Sequence, residues 1–245
     1  MRANLTRDHL LGGRVVLFQP RRGYRVAIDP VLLAACVPAG GGDRVLDVGA
    51  GTGAAALCLA RRVQRCRVAA FELQPRLAAL ARKSIAANAL EGRIEVVEGD
   101  LSRPPPALGR GAFDHVMANP PHRVVGKGPA ARDSGKAAAL VEGESRLDHW
   151  LDFCFRMARS GGTITVLHRA DRLAELMSYS RMSGAVVFPL WSKAGEDAKR
   201  VIVQWLKGRA RGSLRLAAGM VLHETNGAYT ASAERVLREG LALEL

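Results

Sequence analysis

The chain has 245 residues, 48% of them hydrophobic, and no stretch nears the roughly 18 uncharged apolar residues of a membrane span. That length fits one large domain, or a domain with an appendage, and it can bury a core without staples. A net charge of +13 favours polyanionic partners and is unnecessary for a small neutral substrate.

The excess charge is uneven. Residues 1–36 carry Arg2, Arg7, Arg14, Arg21, Arg22 and Arg25 against Asp8 and Asp29. Residues 193–215 carry Lys193, Lys199, Arg200, Lys207, Arg209, Arg211 and Arg215 against Glu196 and Asp197. Early charges among residues 1–10 leave no room for the apolar part of a secretory leader, so a cytoplasmic protein is expected. Cys36, Cys58, Cys66 and Cys154 form no C-x-x-C pair, and no histidine stands at zinc spacing. They are expected to be reduced core thiols, with no metal site.

In chain order, Arg14–Phe18 and Tyr24–Ile28 flank Gln19-Pro20-Arg21-Arg22-Gly23, which predicts a hairpin, and Asp29-Pro30 opens a short helix. Residues 1–36 are read as an N-terminal extension and 37–245 as the main domain. Val45–Val48 is a short apolar run ending at glycines, a buried strand. A helix follows over Ala54–Val63, then a strand over Arg67–Glu72. Pro75 suits the first turn of the next helix, whose Leu77, Leu80, Ala81 and Ile85 form one stripe. Strands are predicted at Arg93–Asp100 and Phe113–Ala118. Residues 147–159 put Leu147, Trp150, Leu151, Cys154, Phe155 and Ala158 on one helical face, with Gly161-Gly162 as its stop. Strand 163–167, helix 173–182 and strands 184–190 and 200–206 complete the rhythm. Residues 207–219 are read as a basic connector before a polar-apolar tail. Alternating strands and helices imply an α/β fold with a mainly parallel sheet covered on both faces.

Asp47-Val48-Gly49-Ala50-Gly51-Thr52-Gly53 follows one strand and opens a helix, so its backbone can turn sharply and approach a ligand. Glu72 ends the next strand, where a carboxylate can accept both hydroxyls of a ribose. Asp100 ends the third strand, where it can receive an adenine amino group. No Gly-Lys-Ser/Thr follows, which disfavours a phosphate loop, and dinucleotide sites usually lack an acid where Asp47 stands. Asp47 suits a cationic methionine moiety. A tight strand–helix turn is the plainer reading of the glycines alone.

Asn119-Pro120-Pro121-His122 follows the fourth strand. An exocyclic amine is a poor nucleophile because its lone pair is conjugated into the ring. Two acceptors, the Asn119 side-chain oxygen and the Pro120 carbonyl, can draw that nitrogen toward tetrahedral geometry. The prolines fix the backbone that holds them. Together the two motifs point to methyl transfer from S-adenosyl-L-methionine to a nitrogen.

Over about residues 40–206 the sequence resembles the class I S-adenosylmethionine-dependent methyltransferases. The resemblance implies a Rossmann-like, seven-stranded sheet with an antiparallel last strand. It also implies that Asp47, Gly49, Ala50, Gly51, Thr52 and Gly53 face the methionine end of the cofactor. Glu72 and Leu73 would face the ribose, and Asp100 and Leu101 the adenine. Asn119 to His122 resembles the [DNS]-P-P-[YFW] signature of amino methyltransferases. His122 departs from it, since an aromatic ring usually stacks on the target there; imidazole can also stack on a base.

Gln19-Pro20, Gly23-Tyr24-Arg25, Asp29, Val31–Ala34, Ser134, Lys136, Ala137 and Trp150 are similar to the tRNA(Val) adenine-N6-methyltransferase group. This likeness implies that Tyr24, Arg25 and Asp29 cover the cofactor and that the substrate is adenosine N6 in a tRNA anticodon loop. Such a base is already unpaired and needs little flipping. Arg2, Arg7, Arg14, Arg21, Arg22 and Arg25 and the 207–215 connector would hold phosphates of the stem. Protein glutamine or ribosomal RNA N-methylation, or a non-catalytic RNA-binding protein with a relic pocket, are the alternatives. The oligomeric state is left open.

Overall fold

The computed structural model describes residues 5–22, 25–121, 123–124, 141–142, 146–179, 184–208 and 213–245. Tyr24, His122, Ser134, Lys136, Ala137, Arg2, Arg209 and Arg211 lie outside them. The chain begins with strands β1 (Leu5–Leu10) and β2 (Val15–Pro20), paired antiparallel through a tight turn at Leu11–Gly13. The predicted hairpin is therefore corrected: β2 pairs with the segment before it, not with Tyr24–Ile28. Residues 5–10 were hard to read because the strand carries Arg7 and Asp8 mid-run and buries no residue fully. Residues 25–27 run beside the hairpin without a ladder; the Val26 N–H donates to the Gln19 side chain at 2.8 Å.

Helix α1 (Asp29–Cys36) starts with a proline in its first turn and is buried from Pro30 to Cys36. Then come β3 (Arg44–Val48), α2 (Ala54–Arg62), β4 (Arg67–Glu72), α3 (Pro75–Ala87), β5 (Ile94–Glu98) and β6 (Phe113–Ala118). Two-residue strands β7 (Arg123–Val124) and β8 (Val141–Glu142) pair with each other. The rest is α4 (Leu147–Met157), β9 (Ala158–Arg169), α5 (Leu173–Met177), β10 (Ala185–Lys193), β11 (Ala198–Leu206), β12 (Arg215–Leu216), β13 (Met220–His223) and α6 (Ala231–Glu239).

The main sheet runs β5-β4-β3-β6-β9-β11-β10, with β12 and β13 along the far side of β10. Neighbours from β5 to β9 are parallel. β11 is antiparallel to both β9 and β10. The seven expected strands and the antiparallel one are all present, and two short strands extend the edge. Strand order reverses at β3, between β4 and β6, so the carboxyl ends of β3, β4, β5 and β6 share one edge, where open sheets bind ligands.

Two apolar cores lie on the two faces. One packs α1, α2 and α6 residues with Val45, Met117, Leu167 and Ile202. The other packs α4 with Leu46, Val48, Val116 and Val166. Along β3 and from His115 onward in β6, the alternation assigns odd-numbered residues to the first face and even-numbered ones to the second; Phe113, before a register shift, packs in the second core. Over β4 and β5 the second face carries less than full helical cover, because the β5–β6 connection contributes only the turn Pro106–Leu108. Pro104-Pro105-Pro106 removes the N–H groups a helix would need.

Gly161-Gly162 does not stop α4, which ends at Met157. The pair lies inside β9, where Gly161 N–H donates to Lys207 and Lys207 N–H to Gly162, each at 2.8 Å. A Cβ on Gly162 would sit 2.6 Å from the Asp114 carbonyl oxygen, so close strand approach fixes this residue. The supposed tail forms β13 and α6. Thr230 caps α6 by accepting from Ala233 N–H, and Gly240 ends it in the left-handed conformation. All four cysteines are buried free thiols.

The hairpin is fastened to α3 by buried polar groups. Asn88 accepts from Val16 N–H at 2.9 Å and donates to Val16 C=O at 2.7 Å. Ser84 accepts from Phe18 N–H at 3.0 Å. These bonds cover the strand edge that β1 leaves open. Asn88→Ala leaves both Val16 groups without that partner and is expected to cost about 1–3 kcal/mol, read as a lower urea midpoint with an unchanged slope.

Candidate active site

β3 ends at Val48, and the chain turns at once toward α2. The N–H groups of Gly49 and Ala50 both donate to the Phe71 carbonyl, at 2.8 and 3.0 Å, which ties the turn to the end of β4. Gly49 has φ 71°, and a Cβ there would lie 2.5 Å from the indole of Trp150. No other residue fits both the angle and the space. Trp150, in the first turn of α4, thus forms a wall against the turn. Its helical face and its family resemblance were legible in the sequence; its contact with Gly49 was not.

Two acids support the turn from below. Glu72 is 5% exposed, and its two oxygens accept from Gly51 N–H at 2.7 Å and Gln74 N–H at 2.8 Å. Each oxygen has a second lone pair, so capacity remains for hydroxyl donors. Burial raises the Glu72 carboxyl above its ordinary range, opposed by the N–H groups of Gln74, Gly51 and Leu73. Asp47 is 3% exposed and accepts from Ala56 N–H at 3.2 Å. Burial pushes its carboxyl up to about 7; the Ala56 N–H opposes this and the Glu72 charge adds to it. Thr52 is buried, and its hydroxyl has no hydrogen-bond partner among the described residues.

Beyond β4, Leu73 is 62% exposed. Beyond β5, Asp100 is exposed and accepts from Ser102 N–H at 2.8 Å, while Leu101 is buried. Val48 stands opposite Ala118 in the sheet, so Gly49 and Asn119 leave adjacent strands side by side. Asn119 Oδ1 is buried without a hydrogen-bond partner among the described residues. Pro120 and Pro121 supply no N–H to satisfy it.

Asp47 to Gly53, Glu72, Leu73, Asp100, Leu101 and Asn119 to Pro121 are therefore gathered at one edge. Arg25 is engaged elsewhere, bonding Asp8 at 3.1 Å, Thr6 at 2.9 Å and the Pro20 carbonyl at 3.3 Å. Asp8 also accepts from Gln19 at 2.9 Å, so Arg25 locks the hairpin to the segment that enters α1. Asp29 pairs with Arg200 at 3.2 Å, a link between α1 and the start of β11 that sequence spacing could not reveal.

The Methyltransferase small domain family matches residues 26–134. A tRNA1(Val) (adenine(37)-N6)-methyltransferase of Aeromonas salmonicida is 31% identical over 218 residues, which cover 86% of this chain and 87% of the relative. The chain belongs to this methyltransferase family. A crystal structure of a predicted O-methyltransferase from Agrobacterium tumefaciens aligns at 29% identity and TM-score 0.71, covering 89% of this chain and 99% of its own. TYW2 of M. jannaschii, solved with S-adenosylmethionine, is 14% identical with TM-score 0.58 over 84% of this chain and 86% of its own, a likeness of fold.

The methyltransferase uses S-adenosylmethionine. Its turn fits that cofactor: Gly49 and Gly51 carry no side chains, two carboxylates stand beneath the turn, and a buried acceptor lies beside it. Among the described residues, no helix is long and apolar enough to cross a membrane.

The Asp47 shift has a stability consequence. Folded, this carboxyl keeps its proton to about 7; its ordinary value is 3.8. Between these values the folded chain binds more protons, so the Asp47 contribution is fully present below the lower value and is lost as pH rises toward the upper. Asp47→Asn is therefore expected to flatten the fall in urea midpoint between about pH 4 and pH 7, measured on the cofactor-free protein.

Proposed function

We propose that this methyltransferase acts in the cytoplasm on the N6 amine of an adenosine in a tRNA anticodon loop. The observation that carries the reading is Asn119 Oδ1, a buried acceptor without a described partner, beside the glycine turn. Family membership and the charge of +13 support an RNA substrate.

In this reading the turn from Gly49 to Gly53 and Asp47 hold the methionine end of the cofactor. Glu72 and Leu73 receive the ribose, and Asp100 and Leu101 the adenine. S-adenosylmethionine held there would supply the methyl group and a neutral thioether leaving group that takes the bonding electron pair. Asn119 Oδ1 and the Pro120 carbonyl accept the two hydrogens of the target amine. This lowers its conjugation with the ring and turns its lone pair toward the methyl carbon. Once methylated, the nitrogen loses one proton to solvent, so no strong base is needed. His122, outside the described residues, holds the position where the family signature has an aromatic ring. Arg25, through Asp8, and Asp29, through Arg200, hold the N-terminal segment against the site.

The test is methyl incorporation from labelled cofactor into total tRNA from a strain lacking this gene, followed by nucleoside mass spectrometry. Wild-type protein is expected to yield N6-methyladenosine. Asn119→Ala is expected to lower kcat by about 10²–10³-fold with cofactor affinity nearly unchanged. A product in ribosomal RNA or on protein glutamine, and none in tRNA, overturns the tRNA assignment.

A further inference from the structure

Arg169 and Arg200 stand directly opposite each other on the antiparallel strands β9 and β11. Like charges in that relation repel and weaken a sheet, so their placement asks for a purpose. Both lie at the edge that bears the candidate active site, because β9 runs parallel to β6 and ends there, while β11 begins there. Two residues inward, Leu167 and Ile202 are also opposite, and both belong to the core that includes Met117. Alternation therefore directs Arg169, Arg200 and Asn119 to the same face. Ala118 is opposite Val166. Arg169 is then one strand, about 4.8 Å, to the side of β6 and three residues, about 10 Å, beyond Val166. A nucleotide flanking the methylated base would fall within an arginine's reach.

Each arginine rests on one acid. Arg169 Nε donates to Asp171 at 2.9 Å, and Arg200 Nε to Asp29 at 3.2 Å. The Arg169 side chain remains 45% exposed and that of Arg200 34% exposed. Asp171 also accepts from Arg169 Nη2, and the Arg200–Asp29 pair is part-buried, so phosphate must bridge or outcompete these acids; a guanidinium has five N–H donors for that two-pronged geometry.

We propose that Arg169 and Arg200 form a phosphate clamp that seats the RNA backbone beside Asn119, with Asp171 and Asp29 balancing the two opposed cations. This rests on the tRNA reading above and adds the residues that orient the substrate. The arginines are positioning residues and take no part in the proton or methyl steps.

The experiment measures binding of a tRNA transcript and of its anticodon stem-loop at several salt concentrations, with methyl transfer and cofactor calorimetry in parallel. Arg169→Gln and Arg200→Gln are each expected to weaken RNA binding about tenfold and raise KM for RNA with little change in kcat. Each is expected to lower the slope of log affinity against log salt by about 0.7. Asp171→Asn, which frees Arg169, is expected to tighten RNA binding; a pair with only a structural role would lose stability and leave RNA affinity unmoved. Arg200→Lys keeps a cation beside Asp29, so it separates lost folding from lost clamping and should retain part of the salt slope. Unchanged affinity and slope in both glutamine variants, while wild-type protein methylates tRNA, overturns the clamp alone. Lost cofactor binding in Arg169→Gln also overturns it, by giving the anion site to the cofactor carboxylate. Wild-type protein that neither binds nor methylates tRNA ends the tRNA reading and the clamp with it.

Discussion

The Phe71 carbonyl accepts the N–H groups of both Gly49 and Ala50, and the rest of the site hangs on that junction. It welds the end of β3 to the end of β4 and fixes where the glycine turn lies. Glu72, the next residue along β4, then takes the Gly51 N–H. Trp150 can press on the turn from the other face only because Gly49 carries no side chain. Parallel pairing of β3 with β6 brings Asn119 to the same place.

The junction has a thermodynamic cost. Asp47 and Glu72 are two nearly buried carboxyls, and burial raises both above their ordinary range. A core built for stability alone would hold neither. Their retention under a bare backbone turn marks a surface shaped for a polar, partly cationic ligand. Their compensation within the chain comes from backbone N–H groups: Gly51 in the turn, Ala56 in α2, and Leu73 and Gln74 just after β4. Turn geometry and carboxylate ionisation are thus coupled.

Much of this was legible in the sequence because the central strands are short apolar runs punctuated by glycine, proline and terminal acids. The run Val45–Val48, the stripe Leu77 to Ile85 and the strand Phe113–Ala118 needed no tertiary information. What failed to show itself was set by long-range contact. Residues 5–10 have a weak strand pattern and are paired only because β2 needs a partner. Gly161-Gly162 looked like a helix stop, yet the close approach of Asp114 explains the second glycine. The connector and tail fold because β10 has a free edge and α1 has an apolar flank. Arg25 read as a ligand residue, and the structure engages it with Asp8, Thr6 and Pro20; only the spatial position of β1 could have shown that.

Consecutive prolines after Asn119 also bear on which bases the loop tolerates. Pro120 and Pro121 offer carbonyls but no backbone N–H. An amine meets acceptors there. An exocyclic keto oxygen in its place would set lone pair against lone pair, with no main-chain donor at either proline to relieve the repulsion. In the proposed reading the Pro120 carbonyl therefore works against a keto group, so part of the discrimination between amino and oxo bases lies in the main chain, beside the Asn119 side chain.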